Sequence, residues 1–206
     1  MTIILDRQPA AARAMPPGTP PLLAAAERWY WPAGRLFARR PAKEAVATRT
    51  HFDSSPEAVW NRLMFYEEVP GRPPLLLRLF LPHPVRTEGD RAGIGGKVRC
   101  IYSAGDLVKR ITAFDPPHLL QFEVVEQCLG IERFVRLTGG SWRVHRRRDG
   151  AELVLVTNYR ALLRPRRLWR PLEKLLARQL HRHILHGVRE ALPARSPAAQ
   201  PLPRDA

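Results

Sequence analysis

Between Lys97 and Arg160 apolar and polar residues alternate in short runs separated by turn residues, which predicts a meander of antiparallel strands. Arg148-Asp149-Gly150-Ala151 carries the Asp-Gly signature of a two-residue hairpin, because a type I′ turn needs positive φ at both central residues. That register sets Arg147 opposite Glu152, Val144 opposite Leu155, Trp142 opposite Thr157 and Gly140 opposite Tyr159. One face then collects Trp142, Val144, Leu153, Leu155, Thr157 and Tyr159 and is dry. The other collects Ser141, Arg143, His145, Arg147, Glu152 and Asn158, with Val154 and Val156 among them, and is wet.

The same test applies upstream. A turn at Asp115-Pro116-Pro117-His118 pairs Phe114 with Leu119, Ala113 with Leu120, Ile111 with Phe122, Arg110 with Glu123 and Val108 with Val125. A turn at Ser103-Ala104-Gly105-Asp106 pairs Tyr102 with Leu107 and Val98 with Ile111. Leu129-Gly130, taken as a two-residue turn, opposes Glu126 to Arg133 and Val124 to Val135. A three-residue loop would oppose Glu126 to Glu132, a like-charge pair. The faces then have to switch between Leu137 and Trp142, and Gly139-Gly140 is the predicted bulge.

Leu168–Leu192 follows as one long amphipathic helix. Its stripe is Leu168, Leu172, Leu175, Leu176, Leu180, Ile184, Val188 and Leu192, with arginines and Lys174 on the remaining faces. Ahead of the meander, Ala45–Phe52 is β-branched enough for a strand, and Ser55-Pro56-Glu57 opens a short helix carrying Val59, Trp60, Leu63 and Met64. Leu75–Leu81 reads as extended, and Pro82 and Pro84 interrupt it before an edge strand over Val85–Glu88. The predicted class is α+β: a curved antiparallel sheet wrapped around a long C-terminal helix, enclosing an apolar cavity.

Composition sets the boundaries. The 21 prolines of the 206 residues concentrate before residue 45, over Pro70–Pro84 and after Pro193. We therefore expect a ligand-binding domain over 45–192, a Pro-rich basic tail over 1–44 that is partly helical or disordered, and a disordered tail over 193–206. Within the first tail, Leu22–Tyr30 and Leu36–Arg40 mix apolar and basic residues, and Trp29, Tyr30 and Trp31 suit a membrane interface. Cys100 and Cys128 make no disulfide framework, no secretory signal is recognised and no apolar run reaches transmembrane length. The expectation is a cytoplasmic protein, peripheral to a membrane at most. The net charge of +15 favours anionic surfaces, yet aromatics are not interleaved with bases as a nucleic-acid stacking platform requires.

Candidate chemistry lies on the dry face. Lys109, Glu126 and Arg133 fall at one end of it near Tyr102, where they would anchor a polar ligand group or lie solvated at the rim. Phe122, Val124, Trp142, Leu155 and Tyr159 complete the candidate cavity wall. Glu126 with Tyr102 or Tyr159 is the acid–base pair an enzymatic alternative would use, but no residue sits in a nucleophile context and none is assigned as catalytic. His181, His183 and His186 lack an acidic or cysteine partner nearby in sequence, so no metal is expected. Gly93-Ile94-Gly95-Gly96-Lys97 lacks the spacing of a phosphate loop and is a turn, and no cofactor motif is present.

The order of elements resembles the START-like (SRPBCC) superfamily and its helix-grip fold. The resemblance is carried by Phe52-Asp53-Ser54-Ser55-Pro56-Glu57-Ala58-Val59-Trp60, by Ile111-Thr112-Ala113-Phe114-Asp115-Pro116-Pro117, by Gly139-Gly140-Ser141 and by the strand ending in Tyr159. It spans roughly 45–192 and looks closest to the polyketide cyclase/dehydrase-like branch. It implies two short helices after the first strand and a cavity for a hydrophobic or amphipathic, lipid-like molecule. Binding, transport or sensing is the leading expectation. A cyclase or dehydratase is one alternative, and a peripheral membrane protein using the basic tail and helix is another.

Overall fold

The structure is a computed structural model and describes residues 37–64, 73–89 and 93–192, the side chains of 37–40 and 64 excepted. The elements are β1 (Phe37–Phe52), α1 (Pro56–Met64), α2 (Leu75–Phe80), β2 (Pro84–Gly89), β3 (Lys97–Tyr102), β4 (Gly105–Asp115), β5 (Leu119–Cys128), β6 (Val135–Arg147), β7 (Gly150–Leu163) and α3 (Arg166–Glu190). The strands form one antiparallel sheet in the order β1-β7-β6-β5-β4-β3-β2. The expected segment Leu22–Tyr30, the Trp29–Trp31 anchors and the tail over 193–206 lie outside the described residues.

β1 starts at Phe37 rather than Ala45, because β7 runs on past Tyr159 and offers partners: Ala161 pairs with Ala42 and Leu163 with Phe37. A bulge between Phe37 and Ala42 accommodates Pro41 on this edge strand. Phe37–Arg40 is therefore strand, not helix. Ser55 caps α1 as expected, its Oγ accepting the Ala58 N–H at 3.2 Å. Leu75–Leu81 is not extended. Leu75–Phe80 is helical with Leu77 fully buried, since leucine and arginine favour helix and an unbroken apolar run carries no periodicity to say otherwise.

Both glycine turns fall one residue earlier than predicted. Ser103-Ala104 and Arg148-Asp149 are the turn residues, so Tyr102 pairs with Gly105 and Arg147 with Gly150. Val98 then meets Lys109 rather than Ile111, and Trp142 meets Leu155 rather than Thr157. A slip of two residues keeps every side chain on its own face, so the division stands after the correction except at Ser141, expected on the wet face and found buried. The glycines are required for close backbone approach instead. At φ +145° and +151°, β-carbons on Gly105 and Gly150 would collide with the carbonyl oxygens of Cys128 and Phe52.

The Asp115–His118 turn holds Ile111 against Phe122 and Arg110 against Glu123 as predicted. Bulges on either side move the remaining pairs, so Phe114 meets Leu120, Ala113 meets Gln121 and Val108 meets Glu126. Leu129-Gly130 is not a two-residue turn. The connection from Cys128 to Val135 buries Leu129, Ile131 and Phe134, and that apolar load draws the loop inward. β5 and β6 pair only between Leu119↔Arg143 and Glu123↔Gly139. Beyond that point the Gln127 amide spans the gap, donating to the Val135 carbonyl at 3.1 Å and accepting the Leu137 N–H at 2.7 Å. Glu126 thus faces neither Arg133 nor Glu132, and Val124 does not face Val135. The bulge beside Gly139 is present.

Val59, Trp60 and Leu63 of α1 pack with Val144, Leu153 and Leu155 of the sheet and Leu185 and Val188 of α3. The C-terminal end of α3 is tied to β1 by Arg189, whose guanidinium donates to the His51 carbonyl at 2.9 Å and lies over the Phe52 ring. Among the described residues no helix is long and apolar enough to cross a membrane.

Candidate functional site

The phase of α3 decides what faces the sheet. Leu168 and Leu175, expected in the stripe, are 65% and 43% exposed, whereas Glu173, Leu176, His181, Leu185 and Val188 are buried. The inward face therefore carries an acid and an imidazole. Between this face and the sheet lies an apolar cavity of about 100 Å³. Its walls come from Tyr102 of β3, Val135 and Leu137 of β6, Thr157 and Tyr159 of β7, and Glu173, Leu176, Leu180 and His181 of α3. Leu81 and Pro82, leaving α2, and Leu129 and Ile131 of the inward loop close it.

His181 joins the helix to two strands. Its Nδ1 lies 2.9 Å from Thr48 Oγ1 and its Nε2 2.8 Å from Thr157 Oγ1. A neutral imidazole offers one donor and one acceptor, and a hydroxyl can complement either. Burial pushes the imidazole down to about 4, so it is uncharged at neutral pH.

Beside it an ion-pair cluster closes the sheet edge onto α3. Arg166 grips both carboxylate oxygens of Glu173 at 2.6 and 2.7 Å and reaches Glu44 at 3.4 Å. Glu44 also meets Arg170 Nε at 3.1 Å and Lys174 Nζ at 3.8 Å. Burial alone would raise the Glu44 carboxyl, but hydrogen bonds from Arg170 and Arg166 outweigh it and hold the group below the ordinary range. Tyr159 pairs with Glu44 across β1 and β7 and is 3% exposed. Its hydroxyl has no hydrogen-bond partner among the described residues. Burial and the nearby carboxylates of Glu173 and Glu44 push the phenol up to about 12.

Of the nine residues singled out from sequence, Tyr102 and Tyr159 line this cavity. Burial and the neighbouring Cys100 raise the Tyr102 phenol, so both rings carry un-ionised hydroxyls. Lys109, Phe122 and Trp142 form a separate cluster outside the cavity wall, with the Lys109 ammonium 4.6 Å from the Phe122 ring centre and 5.9 Å from that of Trp142. Leu155, opposite Trp142, is buried core, and Val124 packs against that core half-buried. Glu126 and Arg133 are exposed, so neither they nor an acid–base pair built on Glu126 belong to the cavity. His183 is buried and His186 exposed, 3.3 Å from Glu190. Among the described residues no three metal-ligating side chains come together.

Sequence reasoning missed Glu44, Thr48, Glu173 and His181 as parts of one site. Two signals were present: Thr48 is at a β-branched position of a predicted strand, and Glu173 is an acid amid the arginines of α3. Glu44 falls in the segment expected as tail.

Solved structures share this architecture. The chain superposes on the di-domain ARO/CYC BexL from the BE-7585A biosynthetic pathway with a TM-score of 0.53 at 12% identity, over 75% of this chain and 51% of that one. The chain thus spans about half the length of BexL. A Thermus thermophilus protein matches with a TM-score of 0.51 at 18% identity, over 71% of this chain and 95% of that one. The Zhui aromatase/cyclase from Streptomyces sp. R1128 matches at 0.50 and 18%, over 73% and 94%. The chain has the helix-grip fold. At these identities the likeness is one of fold. Neither a family profile nor a curated protein sequence matches the chain.

Proposed function

We propose that this helix-grip chain binds a hydrophobic small molecule in the cavity between the sheet and α3. The observation that carries this reading is the cavity itself: a chamber walled chiefly by leucines, isoleucine and valine, with Tyr102, Thr157, Tyr159, Glu173 and His181 among its lining residues. Its volume of about 100 Å³ is small beside the ~300–1,000 Å³ of drug-sized ligand sites, so the part of the ligand it takes is slender, an alkyl chain or a single ring. Cyclase or dehydratase chemistry would call for a cavity acid. Glu173 is the carboxylate at the wall, and both its oxygens are held by Arg166, which favours binding over catalysis. Native mass spectrometry of freshly purified protein is the test. A co-purifying hydrophobic molecule that is lost in Ala177→Phe, a substitution into the cavity wall, is the expected result. The same mass in both variants would count against the reading.

A second reading, docking on an anionic membrane, is favoured by α2. Leu75 and Leu79 are exposed one turn apart with Arg78 between them, and the helix runs directly into Leu81 and Pro82 of the cavity wall. Flotation with phosphatidylserine vesicles should fall in Leu75→Asp/Leu79→Asp if this face inserts. Flotation that depends instead on residues 1–44 would assign the contact to the tail.

A further inference from the structure

The outer face of the sheet, turned away from α3, is divided in how its charges are balanced. On β2–β5 its arginines have acids beside them: Arg86 meets Glu88, Arg99 meets Asp106 and Arg110 meets Glu123. On β1, β7 and β6 the balance is different. Lys43, Arg160 and Arg136 stand in one row across these three strands, each opposite the next, and all three are exposed. Arg49 and Arg143, also exposed, flank Val154 in a second row. Lys43, Arg136, Arg143 and Arg160 meet no carboxylate among the described residues. The acid on this part of the face, Glu152, is held by Arg147 and lies near Arg49.

Cations on an edge strand discourage pairing with other chains, which accounts for Lys43 and Arg49 on β1. Arg136, Arg143 and Arg160 are on interior strands, where that purpose does not arise. Like charges directly opposite each other on a sheet repel, and among the described residues no acid offsets the row at Arg160. Anions that relieve this repulsion therefore have to come from a partner.

The surroundings of the two rows narrow the partner. Strand spacing and rise place their five cations within a patch of roughly 10 by 20 Å. Duplex nucleic acid carries a charge about every 1.7 Å of its axis, dense enough to meet them together. A membrane contact calls for apolar anchors, and the large exposed hydrophobics of the described residues lie on other elements, none on β1, β6 or β7. A single strand calls for stacking partners, and no exposed Phe, Tyr or Trp is described on these strands.

We propose that the outer face of β1, β7 and β6 binds the phosphate backbone of duplex nucleic acid without reading its sequence. Fluorescence anisotropy with a labelled mixed-sequence duplex DNA, over a series of salt concentrations, is the test. It compares wild type with Arg136→Gln/Arg143→Gln/Arg160→Gln and with Arg86→Gln/Arg99→Gln/Arg110→Gln, which lose the same charge from opposite halves of one face. The first variant should bind about tenfold more weakly or worse, with the slope of log affinity against log salt shallower by about 3. The second should stay within about twofold of wild type. Free of nucleic acid, the first should melt at or above the wild-type temperature, since a repelling row is relieved and no ion pair is lost. Arg160→Gln alone should lower the slope by about 1, a readout that remains if the triple variant fails to fold.

Equal weakening in the two triple variants would assign the binding to net charge rather than to this face and overturn the proposal. So would the absence of duplex binding by wild type, or tighter binding of the single strand than of the duplex. Loss confined to flotation with phosphatidylserine vesicles, with duplex affinity unchanged, would give the face to a membrane instead.

Discussion

His181 on α3 and Thr157 on β7 lie 2.8 Å apart, Nε2 to Oγ1, and Thr48 on β1 closes the other side of the same ring at 2.9 Å. A single uncharged imidazole thus pins the gripping helix to two neighbouring strands, on the same inward face as the acid that lines the cavity.

Charging that imidazole should loosen the grip. Its folded-state value of about 4 lies below the ordinary 6.5, so between these pH values the unfolded chain binds the extra proton. Stability from this group is complete above about pH 6.5 and is lost as pH falls, the loss reaching about 3 kcal/mol at pH 4. His83 and His183, also lowered chiefly by burial, act with the same sign. Urea midpoints measured between pH 7 and pH 4 should fall more steeply for wild type than for His181→Gln. Parallel curves would show that the imidazole does not titrate in this window.

Arg166 and Glu173 should behave as a coupled pair. Arg166→Met leaves a carboxylate that is 7% exposed without its principal partner, at a cost of about 3–5 kcal/mol. Arg166→Met/Glu173→Leu removes the stranded charge and should recover part of that loss. A double-mutant cycle by chemical denaturation reads the coupling directly, and additive single effects would contradict it.

Gly105→Ala should destabilise the fold by about 1–3 kcal/mol, because it combines a positive φ with a collision against the Cys128 carbonyl. Gly93→Ala, where an added β-carbon meets nothing within 4 Å, is the control and should be within about 0.5 kcal/mol of wild type. Thermal melts of the two proteins make the comparison.

Phe122 lies over Gly140, its Cζ 2.9 Å from where a β-carbon would stand, and meets Trp142 edge-on at 6.2 Å. The ring is half-buried, so Phe122→Ala should cost about 2 kcal/mol, short of the ~3–5 kcal/mol of an enclosed phenylalanine. A loss in the upper range on denaturation would mean the ring is packed on every side.

Much of this architecture was legible from residue order alone. Side chains on a strand alternate with period two, so Val144, Leu153, Leu155, Thr157 and Tyr159 declare one face whether the turn is placed at Asp149-Gly150 or at Arg148-Asp149. The Ser55 cap, the edge strand after Pro82 and Pro84, and the gripping helix follow from equally local chemistry. What only the tertiary structure decided are the matters that depend on a distant partner. Gly105 and Gly150 answer to carbonyls on other strands, and the loop after Cys128 follows its buried Leu129, Ile131 and Phe134 rather than a turn rule. The phase of α3 was open for the same reason. The expected stripe advances mostly in steps of four residues and so drifts around the helix between Leu168 and Leu192 without fixing one inward face, whereas Arg166, paired with both Glu44 and Glu173, and the hydroxyls of Thr48 and Thr157 hold Glu173 and His181 inward. Period and propensity are properties of a segment, whereas the polar end of the cavity is assembled from separate segments that meet only when the sheet closes on its helix.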